Sequence, residues 1–287
     1  MATLAITGAT GGLGGRVARR LADRGVAQRL VVRDPARAPQ LPGAEVVQAA
    51  YGDGEAVRRA LDGVDTLLLV SGSEAFDRVR LHTGTVDAAV AAGVQRIVYT
   101  SFLACSPEAT FTFARDHWHT EEHLRKTGVR HTFLRDSLYL DVFPLFAGGD
   151  GVIRGPAGDG RVAAVARDDV ADVAVAVLLG DGHDGRTYDL TGPEAFTLRQ
   201  AAEELSRASG RAVTYHAETL DQAYASRAGY GAPHWEVTGW VTTYAAIAAG
   251  ELDVVSDTVA TVAGHPPMDL AEFLRRNPAS YRHLVQG

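Results

Sequence analysis

The chain has one cysteine, Cys105, one lysine, Lys126, and two methionines among 287 residues. A single cysteine excludes an internal disulfide and agrees with a reducing compartment. Because the other basic side chains are arginine, any mechanism that needs a lysine must use Lys126. Long apolar runs are also missing: Val64–Val70 is interrupted by Asp65 and falls far short of the roughly 20 residues that span a bilayer. No membrane segment is expected. The stretch after Met1 enters an apolar strand and a glycine turn, with no basic flank or small-residue cleavage site, so a cytoplasmic location is expected. Positive charge is in deficit, the net charge being -7 and the pI near 5.8. A duplex-binding surface draws its affinity from clustered Lys and Arg, so no nucleic-acid partner is expected. Repeats and low-complexity tracts are lacking too.

What is present is enough to bury a sizeable core: 46% hydrophobic and 22% charged positions. Short apolar runs alternate with helical patterns: Thr3–Thr7 then Gly12–Arg24, Arg29–Val32 then Gly54–Leu61, Thr66–Val70 then Phe76–Ala92, and Arg96–Thr100. That β-α-β rhythm, with strands apolar at consecutive positions, implies an α/β fold: a doubly wound parallel sheet of Rossmann type. A helix over Asp116–Thr127 leads to a strand at His131–Leu134, and Thr187–Leu190 is expected to extend the same sheet. Beyond Leu138 the rhythm is irregular, with turn signals between Gly148 and Gly160. Asp168 or Asp169 looks like the N-cap of a helix over Val173–Leu179, and Thr197 with Gln200 forms a capping-box pattern. We therefore expect residues 1–192 to form the dinucleotide-binding domain, with a pocket-forming insert at about 138–165. A smaller, mostly helical portion, 193–287, would pack over the carboxyl ends of the sheet.

Gly8, Gly11 and Gly14 form G-x-x-G-x-x-G between an apolar strand and an amphipathic helix, the context that gives such a motif meaning. Gly8 permits a tight turn, Gly11 and Gly12 let the backbone approach a pyrophosphate, and Gly14 lets the helix pack on the strand. The helix N-terminus offers N–H groups and partial positive charge to phosphates. Thr10 and Leu13 lie in the same loop. At the end of the second strand, where an NAD-preferring site holds an acid, stands Arg33, which suits a 2′-phosphate and favours NADPH over NADH. Asp34 either serves the ribose or caps the turn before Pro35. Asp53, in Tyr51-Gly52-Asp53, lies near the adenine or caps the following helix, and Ser71 ends the fourth strand beside the cofactor ribose. All sit at carboxyl ends of strands, where open α/β sheets bind ligands.

Thr7-Gly8-Ala9-Thr10-Gly11-Gly12-Leu13-Gly14, Val32-Arg33-Asp34-Pro35, Gly63-Val64-Asp65, Tyr99-Thr100-Ser101 and Thr120-Glu121 together resemble the NmrA-like branch of atypical short-chain dehydrogenases, particularly the bacterial NADPH-dependent quinone oxidoreductases. The likeness runs nearly end to end, through Gly155–Gly160, Arg167–Ala171 and Thr191-Gly192-Pro193. It implies an NADPH-binding Rossmann domain, with Ser101 among the cofactor-binding residues, a C-terminal pocket, and either quinone reduction or redox sensing. The superfamily's Tyr-x-x-x-Lys pair is absent: Tyr99 is followed four positions later by Leu103, and Lys126 is preceded by Glu122. Quinone reduction can proceed without it, because hydride transfer leaves a stabilised hydroquinone anion that water can protonate.

The resemblance places His117 at the family's site histidine, where it would contact nicotinamide or a quinone oxygen. With a reference pKa of about 6.5 it could donate a proton at neutral pH; a plain surface histidine at a helix start is the alternative. His119 and His123 do not complete a tidy metal face with it, and no metal site is expected. Tyr139 is the second candidate catalytic residue, entering the crevice near nicotinamide, with Phe102 as a pocket wall. Trp235 and Trp240 are core residues or caps for a flat aromatic substrate. The leading expectation is thus an NADPH-dependent oxidoreductase acting on a quinone or similar conjugated carbonyl. Its rivals are an NADP(H)-binding redox sensor that regulates a partner protein and a tailoring reductase of secondary metabolism. A homodimer is allowed.

Overall fold

The computed structural model describes residues 4–285. Six strands and four helices build its first half: β1 (Leu4–Thr7), α1 (Gly14–Asp23), β2 (Gln28–Val32), β3 (Ala44–Gln48), α2 (Gly54–Ala60), β4 (Thr66–Leu69), α3 (Arg78–Ala91), β5 (Arg96–Phe102), α4 (Thr112–Thr127) and β6 (Arg130–Asp136). There follow α5 (Phe143–Phe146), β7 (Val152–Gly155), β8 (Arg161–Val162), α6 (Arg167–Leu179) and β9 (Thr187–Leu190). The remainder is mostly helical: β10 (Phe196–Thr197), α7 (Leu198–Ser209), β11 (Thr214–Ala217), α8 (Leu220–Arg227), α9 (His234–Ala248), a π-helical turn at Val259–Ala263, α10 (Leu270–Arg276) and α11 (Arg282–Val285).

The main sheet has seven strands in the order β3-β2-β1-β4-β5-β6-β9. Every pairing in it is parallel. The chain winds outward from β1 to β3 and restarts on the other side at β4, so the order reverses between β1 and β4. At such a switch point the two strand ends diverge and leave a crevice. The strands are apolar throughout because both faces are covered: α1 and α6 pack on one face through Val17, Leu21, Val170 and Val173, and α2, α3 and α4 cover the other around Leu61, Val86 and Leu124. A third cluster joins residues of the 138–165 stretch, such as Leu140, Phe143 and Ile153, to α7, α9 and α10 through Leu205, Ile247 and Phe273. Two small sheets tie the same parts, β8 pairing with β10 antiparallel and β7 with β11 parallel.

The expected strand Thr187–Leu190 is β9 and extends the main sheet, pairing with β6. The Thr197 capping box is present, with Thr197 and Gln200 exchanging both bonds. The expected N-cap of α6 is not: the helix begins at Arg167 after Ala166, and the two acids fall in its first turn with other partners. Asp168 pairs with Arg20 at 2.7 Å, and Asp169 accepts from the Met268 backbone N–H at 2.7 Å.

One buried carboxylate fastens α4 to the sheet. Glu121, fully enclosed, accepts from Arg135 Nε at 2.8 Å and Nη2 at 2.7 Å, from Ser101 Oγ at 2.6 Å, and from Arg125 at 2.9 Å. Burial alone would raise its pKa; these donors, Arg135 foremost, hold it below the ordinary value. Removing one partner of a buried pair strands the other charge. Glu121→Gln should therefore lower stability by about 3 kcal/mol in urea denaturation. A loss under about 0.5 kcal/mol would mark the pair as no stronger than a surface one.

Candidate active site

The crevice at the switch point is lined by the glycine loop. Gly8 adopts φ of +65°, and its carbonyl accepts from the Gly11 N–H at 2.9 Å, closing the turn. Gly14 stands so close behind it that a Cβ there would lie 2.4 Å from the Gly8 oxygen. This contact pulls the first turn of α1 against β1 and leaves Gly11 and Gly12 exposed at the crevice. Leu13 is buried in the α1–α6 core, so only its backbone faces a ligand, and Thr10 is half-buried. Loop and helix thus offer the open backbone edge and dipole that a pyrophosphate requires.

Two guanidiniums that the sequence did not single out flank that edge. Arg16 donates to the Gly12 carbonyl at 2.7 Å and reaches Asp141 at 3.5 Å. Arg167 pairs with Asp141 at 3.0 Å, and its Cδ lies 3.4 Å from where a Gly12 Cβ would stand. Arg33 is exposed at the end of β2, with no side-chain partner among the described residues. Asp34 caps the turn at Pro35–Arg37, accepting from the Ala36 N–H at 3.1 Å, and its alternative role at the ribose gains no support. Asp53 likewise caps α2 through the Ala56 N–H at 3.0 Å. Its neighbour Tyr51 sends its hydroxyl inward to Thr7 Oγ1 and the Val70 carbonyl, tying the ends of β1 and β4 together. Ser71 is half-buried at the crevice, held by Thr100, whose Oγ1 accepts from the Ser71 N–H at 2.8 Å.

Ser101 corrects the expectation that its side chain binds cofactor: it is 2% exposed and its hydroxyl is committed to Glu121. Cys105 shares that buried cluster, and burial, with Glu121 beside it, pushes its thiol up to about 12, an unreactive setting. Tyr139 is corrected as well. Its hydroxyl donates to Asp136 Oδ2 at 2.6 Å and its ring lies under the Arg167 guanidinium at 4.3 Å, so no free hydroxyl reaches the crevice. It serves as a floor for Arg167 rather than as an acid.

His117, on α4, is 5% exposed, not a surface residue. Burial, then the positive field of Arg78, holds its pKa well below the ordinary value, so it is neutral at physiological pH. The imidazolium proton donor expected from the sequence is therefore corrected to a neutral imidazole. Phe102 stands beside it, ring centroids 6.1 Å apart. Lys126 is exposed in the last turn of α4, and no phenol–ammonium pair exists among the described residues. Trp235 packs on Phe113, whereas Trp240 lines a cavity of about 570 Å³ with Phe146, Arg154, Tyr230 and Tyr244, apart from the glycine loop and His117. The histidines of α4 gather no metal-ligand set among the described residues; the one such group is Asp169, Asp172 and His265, where Asp172 already pairs with Arg20 at 2.7 Å.

Fold and site together define a dinucleotide-binding protein of Rossmann type, with its phosphate loop at the β1–β4 switch point. The chain belongs to the NAD(P)H-binding family, whose model matches residues 8–181. It is 38% identical over 276 residues to quinone oxidoreductase 2 of Escherichia coli, covering 94% of this chain and 96% of that protein. To (4-alkanoyl-5-oxo-2,5-dihydrofuran-3-yl)methyl phosphate reductase of Streptomyces griseus it is 41% identical over 223 residues, covering 76% and 78%. A crystal structure of an E. coli NADPH-dependent quinone oxidoreductase complexed with NADPH matches with a TM-score of 0.88 at 37% identity, covering 95% of this chain and 99% of that one.

The buried Asp136–Tyr139 pair gives a pH-dependent signature. Asp136 Oδ1 is enclosed without a partner, and burial pushes the carboxyl up to about 7, against the opposing pull of Tyr139 and Arg167. An unfolded aspartate titrates near about 3.9. The folded state thus holds the proton more tightly, and stability falls as pH rises between those two values and levels off above the folded one. Asp136→Asn removes the titration. Its stability relative to wild type should therefore rise steadily from about pH 4 to about pH 7 in denaturation series; a constant difference would mean that Asp136 is ionised throughout.

Proposed function

We propose that this protein is an NADPH-dependent oxidoreductase that passes hydride to a quinone or a similar conjugated carbonyl. The observation that carries this is that no charged acid or activated phenol is positioned in the crevice among the described residues: Lys126 is exposed at the far end of α4, Tyr139 is tied inward, and His117 is neutral. An unactivated ketone would leave an alkoxide that needs such a donor. A quinone or other conjugated carbonyl leaves a delocalised anion that solvent protonates. Relatives named for quinone reduction and for reduction of a conjugated furanone support the same acceptor class.

When bound, reduced nicotinamide supplies the hydride. The chain's own residues do the positioning. Gly8, Gly11, Gly12 and the start of α1 present backbone N–H groups to the pyrophosphate, and Arg16 and Arg167 add charge at its edge. Arg33, free and exposed, faces the 2′-phosphate and sets the preference for NADP over NAD. Thr10 and Ser71 border the bound dinucleotide, and Phe102 walls the acceptor side. His117 offers a neutral hydrogen-bond donor to the acceptor oxygen. Residues 193–285, with the 138–165 stretch, close over the acceptor as a pocket-forming unit.

The test is NADPH oxidation, followed by loss of the reduced-nicotinamide absorbance, with a simple benzoquinone as acceptor. Quinone-dependent turnover is expected. Arg33→Ala should weaken NADPH binding by about ten- to a hundredfold and leave NADH binding nearly unchanged, the loss of one charge-assisted contact. Tight NADPH binding with no turnover on any quinone would favour the sensor reading instead.

A further inference from the structure

His117 does not stand alone. Its Nδ1 lies 3.0 Å from the Tyr99 hydroxyl on β5, that hydroxyl lies 3.3 Å from His82 Nδ1 on α3, and His82 Nε2 lies 2.9 Å from the Gly72 backbone nitrogen in the loop after β4. His82 and Tyr99 are completely enclosed. The network joins three elements around one ring of donors and acceptors, and the direction of each bond can be worked out from the fixed end.

The Gly72 N–H can only donate, so His82 Nε2 carries a lone pair. Burial, followed by the Arg78 field, lowers the His82 pKa to about 3, so the ring is neutral and its proton sits on Nδ1. That Nδ1–H points at Thr120 Oγ1, 3.2 Å away, and at the Tyr99 oxygen. Thr120 spends its own hydrogen on the Asp116 carbonyl at 2.8 Å. Tyr99 cannot donate to a nitrogen that already holds a proton; Thr120 Oγ1 is already engaged by the His82 Nδ1–H, and the remaining acceptor is His117 Nδ1 at 3.0 Å, to which the Tyr99 hydrogen is assigned. The proton of His117 is thereby placed on Nε2. That nitrogen has no partner among the described residues and is not one of the enclosed unpartnered atoms, so it is the ring nitrogen left open to solvent.

We propose that His82 and Tyr99 are positioning residues that lock His117 as the Nε2–H tautomer, making it an obligate hydrogen-bond donor to the carbonyl oxygen of the acceptor. This rests on the reading of His117 under the proposed function. The charged groups facing the network are Arg78 on α3, which donates to the Gly72 carbonyl at 3.0 Å, and on α4 Asp116, 3.8 Å from Arg78, and Glu121, whose charge is taken by Arg135. Among the described residues no carboxylate accepts from either imidazole, so none stabilises a charged form. The chain of bonds is not a proton wire. If His117 gave its Nε2 proton away and Tyr99 and His82 followed in turn, His82 would be left an imidazolate against a backbone amide that cannot protonate it. The network orients a donor and supplies no net proton.

The test is ¹⁵N NMR of protein labelled at histidine, with and without NADPH, read alongside turnover. Wild-type His117 should show a protonated Nε2 and an unprotonated Nδ1 and should not titrate from about pH 5 to about pH 8. Tyr99→Phe should lose the tautomer bias and lower kcat by about ten- to a hundredfold, with NADPH affinity changed less than about twofold, because the oxygen site loses its aimed donor. A wild-type His117 protonated on Nδ1, or doubly protonated at neutral pH, would overturn the proposal, whatever the variant does. If the tautomer is as stated but His117→Ala keeps full quinone turnover, the lock stands and the proposed catalytic use of His117 fails.

Discussion

The approach of Gly14 to the Gly8 carbonyl, too close for any Cβ, is the constraint from which the site follows. It seats α1 directly on the end of β1, and only then do Gly11 and Gly12 lie open beside the reversal of strand order. Seating α1 there also brings Arg16 and Arg20 against the first two turns of α6, where Asp168 and Asp172 receive them. With α6 fixed, its first residue, Arg167, reaches back over the glycine edge and shares Asp141 with Arg16. One steric condition thus sets both the backbone cradle and the cationic rim. That economy is characteristic of phosphate sites at helix N-termini, where position counts for more than side-chain identity.

The other wall of the crevice obeys a different rule. There the polar groups are buried and the positive charge of Arg78, 4% exposed, sits among histidines and a tyrosine that stay uncharged. Buried neutral groups must be paired, and the pairing fixes which nitrogen carries which proton. Glu121, one turn beyond His117 on α4, binds the helix to β6 through Arg135 and so keeps that wall at a constant depth. A rigid cradle on one side and a preset donor on the other suit a reaction in which alignment does most of the work.

Much of this was legible in the sequence wherever a signal is local. The alternation of apolar runs and helices gave the parallel sheet, the glycine spacing gave the loop, and Thr197 with Gln200 gave the start of α7. Signals failed where the local cue had another use. Helix α4 begins at Thr112, earlier than its periodicity suggested, because Phe111 enters an aromatic cluster with Phe102 and Phe113 and leaves no side-chain cap to read. The acids expected to cap α6 serve arginines and a distant backbone N–H instead. The orientation of Tyr139 depends on Asp136, whose burial the sequence does not display. The partners of His117 were invisible for a deeper reason: His82, Tyr99 and Thr120 sit on three elements, and only the sheet order brings them together.

The central claim is that hydride transfer here needs alignment and a neutral donor, with no protein acid. Single-turnover oxidation of pre-bound NADPH by a saturating quinone, measured across about pH 5.5 to 8.5, tests it most directly. The account predicts a rate constant flat across that range, since His117 and His82 are held neutral throughout. A rate that falls by tenfold per unit as one histidine-like group loses its proton would contradict it and restore an imidazolium acid to the site.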